Sequence, residues 1–169
     1  MNVLSTASGP AMGSSHGAYN VDLRMPRTER VTSRVIVYRS IDSTNIEAGR
    51  LLQDGTLQLN DDSVVAIAAD TQSAGRGRLD HAWVSRPGES FAVTFVTEVP
   101  RWLALDASVN GWLQMIAGLA AVDGLHGAMR ECGAQSIATV NDDADGAGFM
   151  LKWPNDVFLG GHKLGGILS

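Results

Sequence analysis

Two glycines and two arginines alternate within the segment 71–83, TQSAGRGRLDHAW, and this spacing suits an anion site. Gly75 and Gly77 let the backbone approach a ligand closely, while the guanidinium groups of Arg76 and Arg78 match the oxygens of a phosphate or carboxylate. The segment lacks the third glycine of a dinucleotide-binding fingerprint and the GKS or GKT of a P-loop. It predicts either a local anion cradle or a solvent-exposed turn with surface arginines.

The only two lysines of the chain, Lys152 and Lys163, lie close together in the sequence. An ammonium group is a compact charge that can stabilise a developing oxyanion or bind a phosphate. In the segment 151–157, LKWPNDV, strand alternation would place Lys152 and Pro154 on one face and Trp153 on the other. The pattern predicts either a cationic site or an ordinary hairpin with a solvated lysine.

A third polar motif, Ser43-Thr44-Asn45, stands where a helix is predicted to begin. The free N–H groups and hydroxyls of a helix N-terminus can hold a ligand carboxylate or carbonyl. The competing interpretation is simple capping, because Thr44 followed by Glu47 fits a capping box.

Apolar periodicity predicts the elements that must position these motifs. Their order, β, α, β, β, α and then several β, indicates an α+β fold with a mixed β-sheet flanked by helices. The second helix is expected to be the main core helix, with Trp102 and Trp112 in the core pattern and Gly133 at its end. The predicted elements are strands at Val35–Tyr38, Val64–Ala69, Phe91–Phe95, Ser136–Val140, Phe149–Trp153, Val157–Leu159 and Lys163–Leu168, helices at Thr44–Gln53 and from Asp106 or Ser108 to about Glu131, and a loop at Asp70–Ser90.

The composition fits one globular domain. Of the 169 residues 44% are hydrophobic and 18% charged, and no apolar run reaches the ~18 residues that span a membrane. A net charge of −5 argues against a general binder of nucleic-acid backbones. The single Cys132 cannot form an internal disulfide, which together with the missing secretory leader favours the cytoplasm. Residues 1–30 are rich in small and polar residues and are expected to form a flexible N-terminal tail.

Taken in this order, the segments SIDSTN, TQSAGRGRLDHAW and LKWPNDVFLGGHKLGGIL resemble the biotin protein ligases over residues 34–169. The resemblance implies a catalytic domain whose fold is shared with lipoate ligases and related to class II aminoacyl-tRNA synthetases. It also implies an activity: biotin and ATP would form biotinyl-5′-AMP, and the biotinyl group would pass to one lysine of a carrier protein. Carboxylate adenylation needs fixed cationic and N–H donors, which the two basic segments supply.

The resemblance also implies roles for individual residues. Lys152 and Arg78 would be catalytic, with Lys152 bridging the biotin carboxylate and the α-phosphate. The residues implied to bind biotin are Ser43, Thr44, Asn45, Gln72, Arg76, Gly77, Arg78 and Lys152. The residues implied to bind the adenylate and its phosphates are Gly75, Arg76, Gly77, Arg78, Trp83, Asn155 and Lys163.

The substrates implied are ATP and biotin, and Mg²⁺ is expected with the triphosphate. The partner implied is the biotin carboxyl carrier protein of acetyl-CoA carboxylase or of a related carboxylase. No helix-turn-helix segment precedes the domain, so no DNA-binding domain is expected, and no membrane association is expected either. The sequence leaves two other functions open: a truncated binding or interaction module without turnover, and a lipoate-type ligase on the same fold.

Two departures from the family pattern stand out. Asp80 and His81 occupy the positions where glycine and arginine are usual in GRGRxGRxW, so loop flexibility and one phosphate contact would differ. Family catalytic domains continue past the GGIL segment, so the ligase-like domain, residues 31–169, is expected to be incomplete at its C-terminus.

Overall fold

The computed structural model of the chain describes residues 24–84, 86–109, 111–134 and 148–169. These described residues divide into two compact units: the first consists of those up to Gly75 and within Trp83–Glu98, and the second of those within Arg76–Ala82 and Val99–Ser169. In chain order the elements are a 3-10 helix (Thr28–Arg30), β1 (Arg34–Ile41), α1 (Thr44–Gln53), β2 (Val64–Gln72), β3 (Gly75–Arg76), a 3-10 helix (Arg78–Asp80), β4 (Ala82–Trp83), β5 (Ala92–Thr97), α2 (Arg101–Leu105), α3 (Gly111–Cys132), β6 (Phe149–Lys152), β7 (Asp156–Leu159) and β8 (His162–Gly166).

The first unit contains a mixed sheet with strand order β1-β2-β5. β1 runs parallel to β2, and β2 runs antiparallel to β5. β2 is buried along most of its length because its apolar run VVAIAA packs on both faces, as central strands do. The hydrophobic core of the first unit contains side chains from β2, β1, α1 and the segment after α1. Its buried apolar members are Ile36, Tyr38, Ile41, Ala48, Leu51, Leu57, Val65, Ile67 and Ala69.

In the second unit, β6, β7 and β8 form an antiparallel sheet. α3 packs on it through Gly118, where an added Cβ would lie 2.6 Å from Leu151 Cδ1. Gly133 follows the helix with a φ of +64°, a left-handed conformation that favours glycine, so the predicted helix end is confirmed.

The fold class is confirmed: the chain is α+β with a mixed sheet and flanking helices. α1 has the predicted bounds, and β1 and β2 are longer than predicted. The predicted loop at 70–90 instead holds the end of β2, the short strands β3 and β4, and a 3-10 helix. The predicted strand at 136–140 and residues 1–23 of the predicted tail lie outside the described residues, and Thr28–Arg30 of that tail form a 3-10 helix.

The prediction of a core helix at 106–131 is wrong in two respects. α3 begins at Gly111 and is preceded by the unpredicted α2. Among the residues of α3 whose burial is described, only Gly118 is buried, while Trp112 is 60% exposed. Trp102 on α2 is 66% exposed, so neither tryptophan is a core residue. Helical spacing shows which side chains share a face but not whether another element covers that face.

The alternation argument for Lys152 also fails. β6 ends at Lys152, and Trp153 and Pro154 lie in the turn that follows, joined by a cis peptide bond. Because strand alternation stops at the last strand residue, it cannot assign Lys152 and Pro154 to one face.

Candidate functional site

In the first unit, Gln72 at the end of β2 meets the first turn of α1. Its Oε1 accepts hydrogen bonds from Thr44 N at 2.8 Å and from Thr44 Oγ1 at 3.1 Å. Thr94 on β5 places its hydroxyl 2.8 Å from Thr44 Oγ1 and 2.5 Å from Asn45 Oδ1. Since a hydroxyl has one proton, Thr94 can donate to only one of these oxygens at a time. The result is a cluster of uncharged donors and acceptors.

The backbone brings this cluster together. β1 and β2 run parallel and in register from Arg34 and Val65 to Ile41 and Gln72, so the end of β2 lies beside the point where the chain leaves β1 and enters α1. Ser43 is the N-cap residue of α1, and its side chain makes no capping hydrogen bond. The side chain of Gln72 accepts the N–H of Thr44, one of the groups that a helix N-terminus leaves without an intrahelical partner.

The predicted capping box is wrong. Glu47 turns away from the N-terminus of α1, and its fully buried carboxylate accepts hydrogen bonds from Tyr38 Oη at 2.6 Å and from Arg50 Nη1 at 3.0 Å. Arg50 also donates to both carboxylate oxygens of Asp42. Asp42 Oδ1 accepts the N–H of Ser43 at 2.7 Å. The hydrogen bond from Arg50 is the main reason that the pKa of Asp42 lies below its ordinary range, and the same contact raises the pKa of Arg50.

The glycines of the glycine-arginine loop differ in their steric demands. Gly75 is buried, and an added Cβ would lie 2.6 Å from the backbone oxygen of Trp83. An added Cβ at Gly77 would lie 3.5 Å from the backbone oxygen of His81, which is an ordinary contact. Gly77 N donates to that same oxygen at 2.7 Å and closes the turn. Leu79 within the turn has a φ of +55°, an uncommon conformation for a residue other than glycine.

In the second unit, Arg78 contacts Asn155 across 77 positions of sequence. Arg78 Nη1 donates to Asn155 Oδ1 at 3.3 Å. Asn155 is buried, its Nδ2 donates to the backbone oxygen of Ile167 at 2.8 Å, and Ile167 N donates back to the Asn155 backbone oxygen at 2.9 Å. Arg78 is exposed apart from this contact.

The two lysines have different surroundings. Lys163 is half-exposed and its Nζ forms an ion pair with Asp156 Oδ1 at 2.8 Å. Lys152 is exposed, and its Nζ lies 5.2 Å from the centre of the Phe158 ring. An ammonium at this distance from an aromatic ring gains a weak cation–π attraction and keeps its charge available to a further anion.

The structure therefore joins two groups of predicted residues: Gln72 with Thr44 and, through Thr94, with Asn45; and Arg78 with Asn155. Sequence reasoning missed Thr94. Its only sequence signal is that it is a polar residue inside the otherwise apolar run AVTFV of β5.

Two further properties bear on chemistry. Within the residues that the structure describes, no three His, Cys, Asp or Glu side chains come together to hold a metal ion. None of the helices in that part of the chain has the length and apolar character needed to cross a membrane.

Named proteins share part of this sequence. Two relatives are named biotin--[acetyl-CoA-carboxylase] ligase: the Paracoccus denitrificans protein, 39% identical over 127 residues, and the Mycobacterium tuberculosis protein, 36% identical over 107 residues. These matches cover 75% and 62% of this chain but only 42% and 34% of the relatives' own lengths.

The fold has also been solved in a relative. The structure of biotin acetyl coenzyme A carboxylase synthetase from Helicobacter pylori with bound biotinylated ATP matches with a TM-score of 0.53 and 23% identity, over 80% of this chain and 53% of that chain. The fold is thus that of a biotin ligase catalytic domain. The sequence model of the biotin/lipoate A/B protein ligase family matches residues 37–169, which include all three motifs. The chain belongs to this family.

Proposed function

We propose that this chain is the catalytic portion of an ATP-dependent biotin protein ligase. It would form biotinyl-5′-AMP from biotin and ATP and transfer the biotinyl group to a lysine of a biotin carboxyl carrier protein, that of acetyl-CoA carboxylase or of a related carboxylase. The observation that carries the proposal is the family match over residues 37–169, together with two relatives named as biotin ligases.

The uncharged cluster of the first unit, together with the neighbouring Ser43, is proposed as the biotin site, in which Ser43, Thr44, Asn45 and Gln72 would contact the ligand. Ser43 and Thr44 are only 5% and 4% exposed, so the surrounding protein fixes their positions. Hydroxyl and amide groups of fixed orientation suit the uncharged bicyclic part of biotin. Thr94 supports this site because its hydroxyl lies within hydrogen-bonding distance of both Thr44 Oγ1 and Asn45 Oδ1 and donates to one of them at a time.

The cations of the second unit are proposed to handle the acid and the phosphate. A carboxylate oxygen of biotin attacks the α-phosphorus of ATP, an oxygen–phosphorus bond forms, and pyrophosphate leaves. Charge builds up on the α-phosphoryl oxygens during this step, and Lys152 with Arg76 and Arg78 would stabilise it. In the second step the amine of the carrier lysine attacks the acyl carbon and AMP leaves, with the amine proton passing to solvent.

The remaining proposed contacts hold the adenylate. Gly75 and Gly77 would let the backbone approach it, and Trp83, Asn155 and Lys163 would line its nucleotide side. Asn155 supports this arrangement because it is buried and its side chain bonds to Arg78 and to the Ile167 backbone, which fixes its position. We also propose a cytoplasmic site of action, as the single cysteine indicates, and Mg²⁺ bound through the triphosphate, with no metal ligand assigned to the protein.

The test is biotin-dependent exchange of radiolabelled pyrophosphate into ATP by the purified full-length protein, with lipoate as the competing acid. We expect exchange that requires biotin and that lipoate does not support. Pyrophosphate exchange that requires lipoate and is not supported by biotin would show that the protein is a lipoate ligase. Biotin binding in calorimetry without any exchange would replace the ligase by a binding module.

A further inference from the structure

A continuous series of hydrogen bonds connects the core of the first unit to the N-terminal turn of α1. It runs from Tyr38 through Glu47 and Arg50 to Asp42, and we call these four residues the α1 brace. Each contact is direct: 2.6 Å from Tyr38 Oη to Glu47 Oε1, 3.0 Å from Arg50 Nη1 to Glu47 Oε2, and a two-pronged contact from Arg50 to Asp42. It ends at the backbone N–H of Ser43, which Asp42 accepts.

Stability alone is a poor reason for this arrangement. Tyr38 and Glu47 are both fully buried, and taking a carboxylate out of water costs free energy that pairing only partly restores. Glu47 stands beside Ala48 and Leu51 on the buried face of α1, where an apolar side chain would pack without that cost. In some proteins buried ionic groups serve to fix one geometry, and this is the role considered for Glu47.

The geometry that the brace fixes is that of the proposed ligand-binding turn. Asp42 holds the backbone of Ser43, and the next residue, Thr44, gives its N–H and its hydroxyl to Gln72. The planar fork of Arg50 is central, because Nη1 and Nη2 reach both oxygens of Asp42 while Nη1 also reaches Glu47. A lysine has one ammonium nitrogen and cannot reproduce these directions.

Resting on the proposed function, we infer that the α1 brace positions the Ser43–Asn45 turn for binding biotin, with Arg50 as its main positioning residue. The brace lies behind the turn and takes no part in the chemistry. Its loss lets the turn rotate, so that free biotin binds less tightly. At saturating biotin the ligand itself restores the turn, and turnover recovers.

The decisive pair of variants is Arg50→Ala and Arg50→Lys, with Leu57→Ala as the control. Leu57 is buried in the same core but stands outside the brace, so its truncation lowers the stability of the first unit without touching the turn. The readouts are the dissociation constant for biotin by calorimetry, KM and kcat in pyrophosphate exchange, and the melting temperature.

We expect Arg50→Ala to raise the biotin dissociation constant and KM by roughly 10-fold or more, with kcat within about 2-fold of the wild type. Arg50→Lys should recover most of the melting temperature but not the biotin affinity, because it restores the charge and not the fork. Leu57→Ala should lower the melting temperature and leave the affinity unchanged.

The inference is overturned if Arg50→Lys restores biotin affinity together with stability, or if Leu57→Ala weakens binding as much as Arg50→Ala does. Should Arg50→Ala not fold, Asp42→Asn replaces it, since asparagine keeps an acceptor for Ser43 N but loses the ion pair with Arg50; unchanged biotin affinity in that variant also overturns the inference. A wild-type protein that binds no biotin would instead overturn the proposed function and the inference with it.

Discussion

The uncharged cluster around Gln72 and the cationic groups around Arg78 differ in how much water they meet. Thr44 is buried and each of its polar groups already has a protein partner, whereas Arg78 and Lys152 are exposed. A buried polar group must be satisfied before the ligand arrives, so its geometry is fixed in advance. An exposed cation stays hydrated until an anion displaces its water. In the proposed enzyme, the first unit would therefore select biotin. The second unit would stabilise the charge that develops during adenylation.

The largest expected effect tests the cationic side of this comparison. Lys152→Ala should lower biotin-dependent pyrophosphate exchange by at least about 100-fold, because the variant loses the charge proposed to stabilise the α-phosphoryl transition state. Lys163→Ala should cost less, because the charge of Lys163 is already paired with Asp156. Biotin affinity measured without ATP should stay near that of the wild type in both variants. Equal losses in the two variants would contradict the special role of Lys152.

Arg78→Gly should speed release of biotinyl-5′-AMP by roughly 10- to 100-fold, as expected for losing charge-assisted hydrogen bonds. The measurement is the dissociation rate of preformed adenylate after dilution. Arg86→Gly is the matched control, since Arg86 is an exposed arginine whose ion pair with Glu89 is also exposed. An adenylate released at the same rate from all three proteins would remove Arg78 from the site.

Substitutions at the two glycines of the loop distinguish an effect on backbone stability from an effect on ligand binding. Gly75→Ala should destabilise the protein by about 1–3 kcal/mol, because the new Cβ meets the Trp83 carbonyl oxygen at 2.6 Å. Gly77→Ala should be tolerated in the free protein, and any loss of exchange activity would then report on ligand approach. Urea denaturation gives the first quantity and the exchange assay the second. A fully stable Gly75→Ala would show that the loop backbone relaxes at little cost.

The smallest expected effect is a pH dependence of the α1 brace. The hydrogen bond from Arg50 holds the pKa of Asp42 below its ordinary value of 3.8. The contribution of this pair to stability is then complete above pH 3.8 and is lost as pH falls through the lower pKa of the folded state. The stability difference between wild type and Asp42→Asn, measured by urea denaturation, should thus stay nearly constant from pH 6 down to about pH 4 and shrink as the pH falls below 3.8. The pKa of Asp106 is also lowered, but Asp106 is present in both proteins, so its contribution cancels in the stability difference.

Local elements could be predicted from the sequence where local signals decide them. α1 has its predicted bounds, because the polar segment before Thr44 and the short apolar stripe after it mark a helix regardless of tertiary context. Gly133 marked the end of α3 for the same reason. The exposure of Trp112 could not be predicted, since periodicity identifies an apolar face and says nothing of what covers it.

The candidate site was predictable in part. The resemblance implies eight biotin-binding residues, Thr44 and Gln72 among them, and these two do bond to each other in the structure. Thr94 was missed because its partner lies 50 positions away and a lone threonine in a strand carries no mark of pairing. The capping box failed because spacing cannot show that Tyr38 and Arg50 compete for the carboxylate of Glu47.

The scarcity of lysine gives the protein a built-in chemical probe. Acetic anhydride would find only Lys152 and Lys163 as side-chain amines in these 169 residues, and they lie in different surroundings. Peptide mass spectrometry can follow the acetylation of each amine separately, with and without biotin and ATP. If biotin and ATP protect one amine and not the other from acetylation, the protected lysine is the one that contacts the bound anion, and no mutation is needed to show it.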